Sequence, residues 1–287
     1  MKYDLINACS DLGVHVNGAS KGPVKICERF NNKKIDKIYS IYQEKINKSL
    51  DFNDKAKNLD EINIYNEKLY KTIIKSKNFP ITLGGDHSIV IASALASIKK
   101  HNNLGIIWID SHGDYNNFET TTTGNIHGLP FAAITDYKDT SKLTEFHNGN
   151  YFNPKNSVLV GARDIDELEL ENLKDAGIKV FTTNDIKKHG VKKIMSEAFK
   201  IASNNTDGIH ISYDIDVIDP LIATGVSIPA VNGISEAHAY EIIKYISNNK
   251  DIMKSLDIVE YNPTLDNNEK TLKIVLNLLK EFTKYET

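Results

Sequence analysis

Asp110, His112 and Asp114 set two carboxylates around an imidazole at alternate positions, and Asp214 and Asp216 repeat the alternation with acids alone. In extended chain, residues at i, i+2 and i+4 share a face, so each run can present its polar groups together. His87 adds another imidazole after Gly84-Gly85, a pair that lets the backbone swing tightly. Acids and imidazoles gathered in one cleft would repel and desolvate one another without cations to compensate. A bound metal pair supplies that charge. Oxygen donors with some imidazole and no thiolate suit Mn²⁺ better than structural Zn²⁺. For these side chains to hold two ions and leave room for water, two of the carboxylates must bridge.

Taken singly, these residues say little. An Asp-x-Asp often caps a loop or pairs with lysine, and a histidine after Gly-Gly-Asp is usually structural. Placement sets them apart, because each follows an apolar run. Leu83 leads into Gly84-Gly85-Asp86-His87, Ile109 into Asp110–Asp114, Tyr213 into Asp214–Asp216, and Val259 into Glu260. Apolar runs alternating with helical patterns indicate an α/β fold with a mostly parallel sheet. Ligands bind such sheets at the carboxyl ends of the strands.

Strands are expected at Tyr3–Ile6, Phe79–Leu83, Gly105–Ile109, Ser157–Val160, Lys179–Thr182, Gly208–Tyr213 and Ser255–Val259. Pro23 suits the first position of a helix carrying Val24, Cys27 and Phe30. Ser88 can cap a helix over Ile89–Lys100, and a last helix runs through Leu272, Val275, Leu276 and Leu279. The polar, Lys/Asn-rich stretch from about Asn31 to Asn63 reads as a surface insertion that ends in the start of a helix.

The 287 residues suit one domain over 1–287. With 25% charged residues, a net charge of -3 and scattered lysines, the composition excludes a nucleic-acid-binding balance. Cys9 and Cys27 lack metal-type spacing, so a reducing, cytoplasmic setting is expected. The chain opens without the apolar core of a signal peptide. No run approaches the ~20 apolar residues needed to cross a bilayer, so a soluble protein is expected.

Three blocks are similar to the metal-binding blocks of the ureohydrolases: Gly84-Gly85-Asp86-His87-Ser88, Asp110-Ser111-His112-Gly113-Asp114, and Ser212-Tyr213-Asp214-Ile215-Asp216-Val217-Ile218-Asp219-Pro220. That family includes arginase, agmatinase, guanidinobutyrase and formimidoylglutamase. The resemblance spans nearly the whole chain in the expected order. It implies a three-layer α/β/α fold, two Mn²⁺ ions, and attack on a guanidino or amidino carbon by metal-bound hydroxide. It further implies that His87 and Asp114 bind one ion and His112 and Asp216 the other, with Asp110 and Asp214 bridging. Asp114 would orient the hydroxide and take its proton. His127 resembles the family histidine credited with proton shuttling or substrate positioning, and Glu260 the carboxylate that pairs with the guanidinium. Family members are often trimers or hexamers, so a homo-oligomer is expected.

Substrate choice rests on weaker resemblances, and these lean toward arginase, which converts L-arginine to L-ornithine and urea. Asn116 stands where arginases have an asparagine after the metal block. Thr123, in Thr121–Gly128, resembles a hydroxyl that reads the α-carboxylate. Asp166, in Gly161-Ala162-Arg163-Asp164-Ile165-Asp166, resembles the contact to the α-amine, and Glu169 falls at a further acidic contact. One departure is Ile228, where arginases and agmatinases place threonine. Val226-Ser227-Ile228-Pro229-Ala230 is closer to formimidoylglutamases. Agmatinase, or a related guanidino acid hydrolase, and formimidoylglutamase therefore stand as alternatives, with a single-zinc deacetylase and a non-catalytic family member behind them. His210, inside an apolar strand, is expected to be a satisfied core histidine; His15, His101, His147, His189 and His238 receive no chemistry.

Overall fold

A strand buried on both faces reads as an unbroken apolar run, and the runs noted above fold that way in the computed structural model, which describes residues 1–49, 51 and 53–284. The strands are β1 (Tyr3–Cys9), β2 (Ile35–Tyr42), β3 (Phe79–Gly84), β4 (Gly105–Ile109), β5 (Ser157–Ala162), β6 (Lys179–Thr182), β7 (Ile209–Asp214) and β8 (Met253–Val259). They form one 8-stranded sheet in the order β2-β1-β3-β8-β7-β4-β5-β6. Every pairing is parallel.

The helices are α1 (Gly22–Arg29), α2 (Leu59–Lys75), α3 (Val90–His101), α4 (Pro130–Ile134), α5 (Glu167–Ala176), α6 (Thr183–His189), α7 (Val191–Ala202), α8 (Glu236–Asn248) and α9 (Lys270–Thr283). They divide between the two faces of the sheet. Ile107, Ile109, Ile211 and Tyr213 pack with Ile26 of α1, Met195 of α7, Ile243 of α8 and Val275 of α9. Ile106 and Trp108 point the other way, toward Leu69 of α2, Leu95 of α3 and Leu173 of α5. Two separate apolar cores thus flank the sheet, giving the three-layer α/β/α arrangement.

Two local expectations are corrected. The stretch read as a surface insertion contains β2, an edge strand whose residues are mostly exposed or half-buried, so it lacks the apolar run that marks its neighbours. Its end begins α2 as expected. Ser88 does not cap α3. Asp86 caps the turn that precedes that helix, accepting from the Ser88 amide at 2.8 Å. No described helix is long and apolar enough to cross a membrane.

Candidate metal centre

The strands delivering polar residues, β3, β8, β7 and β4, are consecutive in the sheet. Connections leave this group toward both edges, which opens a crevice at the carboxyl ends of the strands. The side chains converge there through tight turns, not through extended chain as the alternation suggested. Asp110 Oδ1 accepts from the His112 amide at 2.7 Å, and Asp214 Oδ1 from the Asp216 amide at 2.7 Å. Asp86 closes the same two-residue turn onto Ser88. Each aspartate thus terminates its strand and satisfies an amide released from the sheet.

Asp114 then adopts φ 49 and Glu260 φ 66, left-handed conformations uncommon outside glycine and asparagine. Strain of this kind persists only where the surroundings over-determine it. Glu169 supplies part of that restraint. Its carboxylate accepts from the Tyr115 amide at 2.9 Å, and a Cβ on Gly113 would lie 2.6 Å from its carboxyl carbon. The Gly84-Gly85 pair serves close approach instead of an unusual dihedral, because a Cβ on Gly85 would sit 1.7 Å from the Ser10 carbonyl oxygen.

His87 Nδ1 lies 3.0 Å from carboxylate oxygens of Asp110, Asp114 and Asp214. None of these contacts has hydrogen-bond geometry, and one N–H could not serve all of them. His87 Nε2 meets Ser212 Oγ at 2.8 Å. In the tautomer that donates there, Nδ1 turns a lone pair toward the carboxylates. Beside this group, His112 Nδ1 lies 3.0 Å from Asp216 Oδ2 and 3.5 Å from Asp110 Oδ1. His87, Asp110 and Asp214 form one set of atoms able to hold a metal ion; Asp110, His112 and Asp216 form a second. Asp110 belongs to both, and no thiol joins either.

Electrostatics agree with that fit. Burial pushes the Asp214 carboxyl well up, with repulsion from Asp216 and Asp110 adding to it. Burial and the Asp110 charge raise Asp114 to about 6. Burial would lower the imidazoles, but Asp114, Asp110 and Asp214 hold His87 well above its ordinary range, and Asp216 and Asp110 do the same for His112. Positive charge is therefore demanded at both triads, and a divalent cation meets that demand without requiring protonation of the ligating nitrogens.

Glu260 and His127 border the same crevice. Glu260 Oε1 accepts from the His87 amide at 2.9 Å and meets His127 Nδ1 at 3.3 Å. Glu260 Oε2 is buried without a partner among the described residues. His127 is fixed through its amide, which donates to the Gly13 carbonyl at 3.1 Å. The residues expected to read the substrate separate into two kinds. Thr123 and Asp166 are exposed. Asn116 and Glu169 are buried with polar atoms engaged, Asn116 Oδ1 by the Thr120 hydroxyl at 2.9 Å and Glu169 by the Tyr115 and Asp166 amides. Ile228 is half-buried, and Ser227 Oγ accepts from Asn262 Nδ2 at 3.2 Å.

Several contributors escaped the sequence reading. Trp108 stacks on His87 with centroids 4.1 Å apart and donates from Nε1 to Asp110 Oδ2 at 3.0 Å. It is the single tryptophan and lies two residues before Asp110, the signal that could have drawn attention. Arg163 donates to the carbonyls of Asp216, Val217 and Ala230 at 2.7, 2.9 and 2.8 Å, tying the β7 turn to the 230 loop. His210, by contrast, is buried in the core as expected, its Nε2 3.0 Å from Asp257 and its Nδ1 2.5 Å from Ser255 Oγ.

An eight-stranded parallel sheet with this polar cluster at its carboxyl edge defines an α/β protein with a candidate site for a pair of metal ions. Residues 2–284 match the model of the arginase family. An arginase of Staphylococcus aureus (strain COL) is 35% identical over 97% of this chain and 96% of its own. The arginase of Bacillus subtilis (strain 168) is 39% identical over 79% of this chain and 77% of its own. Among solved structures, native arginase from Bacillus caldovelox superposes with a TM-score of 0.89 at 30% identity, covering 99% of each chain. The chain belongs to the arginase family.

Proposed function

We propose that this protein hydrolyses L-arginine to L-ornithine and urea with a pair of Mn²⁺ ions. The observation that carries the proposal is the sharing of Asp110 between two metal-holding triads beside Glu260, whose Oε2 is buried and unpaired. His87 and Asp114 would hold one ion, His112 and Asp216 the other, with Asp110 and Asp214 bridging. When bound, such a pair lowers the pKa of a water so that it is nucleophilic at neutral pH.

The chain's own groups do the rest. Glu260 Oε2 receives the guanidinium, whose planar fork matches a carboxylate. Asp114 orients the attacking water and accepts its proton. His127, anchored through Nδ1 to Glu260, holds a proton for the departing amine. Adding water and breaking the guanidino C–N bond yields urea and the free δ-amine, so the reaction needs no further reactant. At the far end, Thr123 and Asp166 contact the substrate, while Asn116 and Glu169 hold the loops that carry them. A homo-oligomer, trimeric or hexameric, in the cytoplasm completes the proposal; light scattering and cell fractionation test those parts.

Mn²⁺-loaded protein should be offered arginine, agmatine, 4-guanidinobutyrate and formimidoylglutamate, with urea, or formamide for the last, as readout. Arginine should give the highest kcat/KM, and metal analysis should find a manganese pair per chain. Preference for formimidoylglutamate would overturn the substrate, in keeping with Ile228 and its neighbours. A single zinc per chain would overturn the metal centre.

A further inference from the structure

The polar segment ahead of α2 was left without a role by its sequence, yet its lysines reach the main chain of both loops that border the crevice. Lys48 Nζ donates to the Val14 carbonyl at 3.0 Å, to the Asp11 carbonyl, and to Asp11 Oδ1 at 2.8 Å. Lys55 Nζ donates to the Thr121 carbonyl at 2.6 Å, and Lys57 Nζ to the Thr123 carbonyl at 2.7 Å. The backbone follows: the Lys57 amide donates to the Gly124 carbonyl at 3.1 Å. Gly124, at φ 71, lies so close to Asp54 that a Cβ would be 1.8 Å from that carbonyl oxygen. A lysine would ordinarily keep its ammonium in water. Lys57 is only 7% exposed, so its charge is held behind the Thr121–Asn125 loop instead of being spent in solvent.

This charge sits on one side of the mouth. His15, also at that rim, meets Asn125 Nδ2 at 3.0 Å, and burial together with His127, Lys57 and Lys48 lowers its pKa. Acids lie outside the same loop, with Asp164 and Asp166 exposed and Asp166 accepting from the Thr122 hydroxyl at 3.4 Å. Glu260, with Oε2 buried and unpartnered among the described residues, draws a guanidinium inward, leaving the remote end of the substrate toward the loop that Lys57 backs and Asp166 touches.

We propose that Lys57 is a positioning and specificity residue. It fixes the Thr121–Asn125 loop through the Thr123 carbonyl, and its buried charge favours guanidino substrates whose remote end carries an anion. The inference rests on the guanidino hydrolase reading above and adds the residue that selects among such substrates.

Lys57→Met removes both the anchor and the charge, whereas Lys57→Gln keeps a donor for the Thr123 carbonyl without the charge, so a wild-type KM in Lys57→Gln alone would overturn the electrostatic role. In both, KM for arginine should rise about tenfold, equivalent to roughly 1.4 kcal/mol. Turnover at saturation, KM for agmatine and bound manganese should stay unchanged, and Lys57→Arg should restore KM for arginine. Equal shifts for arginine and agmatine, or no shift for either, would overturn the assignment. If wild-type protein ignores arginine, the substrate reading fails; Lys57 is then judged by comparing 4-guanidinobutyrate with agmatine, one carrying a carboxylate and the other an amine. Should both variants fail to fold, Lys57→Arg decides the matter beside wild type, since it should keep the wild-type KM for arginine and a rise shared by arginine and agmatine would overturn the proposal. The product-side selectivity of wild type carries the same signature, so ornithine should inhibit at least about tenfold more tightly than putrescine, and equal inhibition by the two overturns the proposal.

Discussion

Asp110 uses its carboxylate twice. Oδ1 closes the turn onto the His112 amide, while Oδ2 takes the Trp108 indole N–H and faces His87 Nδ1. This double use aims the group before any ion arrives, as preorganised ligation requires. Membership of both triads makes Asp110 a residue whose loss should be felt at both ions, whereas Asp114 borders only the His87 side. Asp110→Asn should therefore release both ions of the proposed manganese pair on dialysis, and Asp114→Asn should release one. Replacing groups that merely support a ligand costs 10–100-fold, so both variants should lose at least about a hundredfold in turnover. Elemental analysis showing equal metal loss in the two variants would contradict the shared-ligand assignment. The acids and imidazoles were legible in sequence because charged groups after apolar runs are anomalous in a solvated loop. Their turn geometry was not, since i and i+2 spacing looks the same in a strand and in an aspartate-capped turn. Arg163 and Glu169 act through backbone groups, and such partners leave no trace in residue spacing.

Among the elements, central strands were legible and the edge was not. β3, β4, β7 and β8 lie between helical layers and read as apolar runs, whereas β2 exposes Ile38 and Tyr42 and carries Lys37 and Ser40 between its apolar residues. The turn after β3 shows how tightly an element must fit its neighbours to aim a ligand. The Gly85 amide donates to the Ala8 carbonyl, and its carbonyl accepts from the Glu260 amide at 2.7 Å, so this glycine joins β1, β3 and β8 at their ends. Gly85→Ala drives a methyl group into the Ser10 carbonyl. Overpacking of this kind costs about 1–3 kcal/mol, and the displaced turn carries His87 with it. Gly177→Ala is the matched control: Gly177 ends α5 at φ 78, with nothing within 4 Å of its added methyl group. It should cost about 1–2 kcal/mol through its left-handed backbone alone. Both variants should melt lower than wild type, but only Gly85→Ala should also weaken manganese binding in titration calorimetry. Intact metal affinity in Gly85→Ala would mean that the turn tolerates displacement without moving His87.

Across the whole molecule, a crevice that gathers buried acids sets how stability varies with pH. Glu169 lies outside the metal triads yet is buried under the Asp114 turn, and burial, with the Asp114 and Asp166 charges, raises its pKa to about 8. An unfolded glutamate titrates near ~4.3. Between these values the folded chain keeps a proton that the unfolded chain has released, so protonated Glu169 favours folding. That contribution is complete below about pH 4 and is lost as pH rises through about 8. Glu169→Gln removes the titration while keeping an acceptor for the Tyr115 amide. In chelator-treated protein, the urea midpoint of wild type should fall more steeply from pH 5 to pH 8 than that of Glu169→Gln. The two should converge at the acidic end and differ on the order of a few kcal/mol at the alkaline end. Parallel pH profiles would show that Glu169 is ionised throughout, held so by the Tyr115 and Asp166 amides, and that the charge of the crevice is balanced elsewhere.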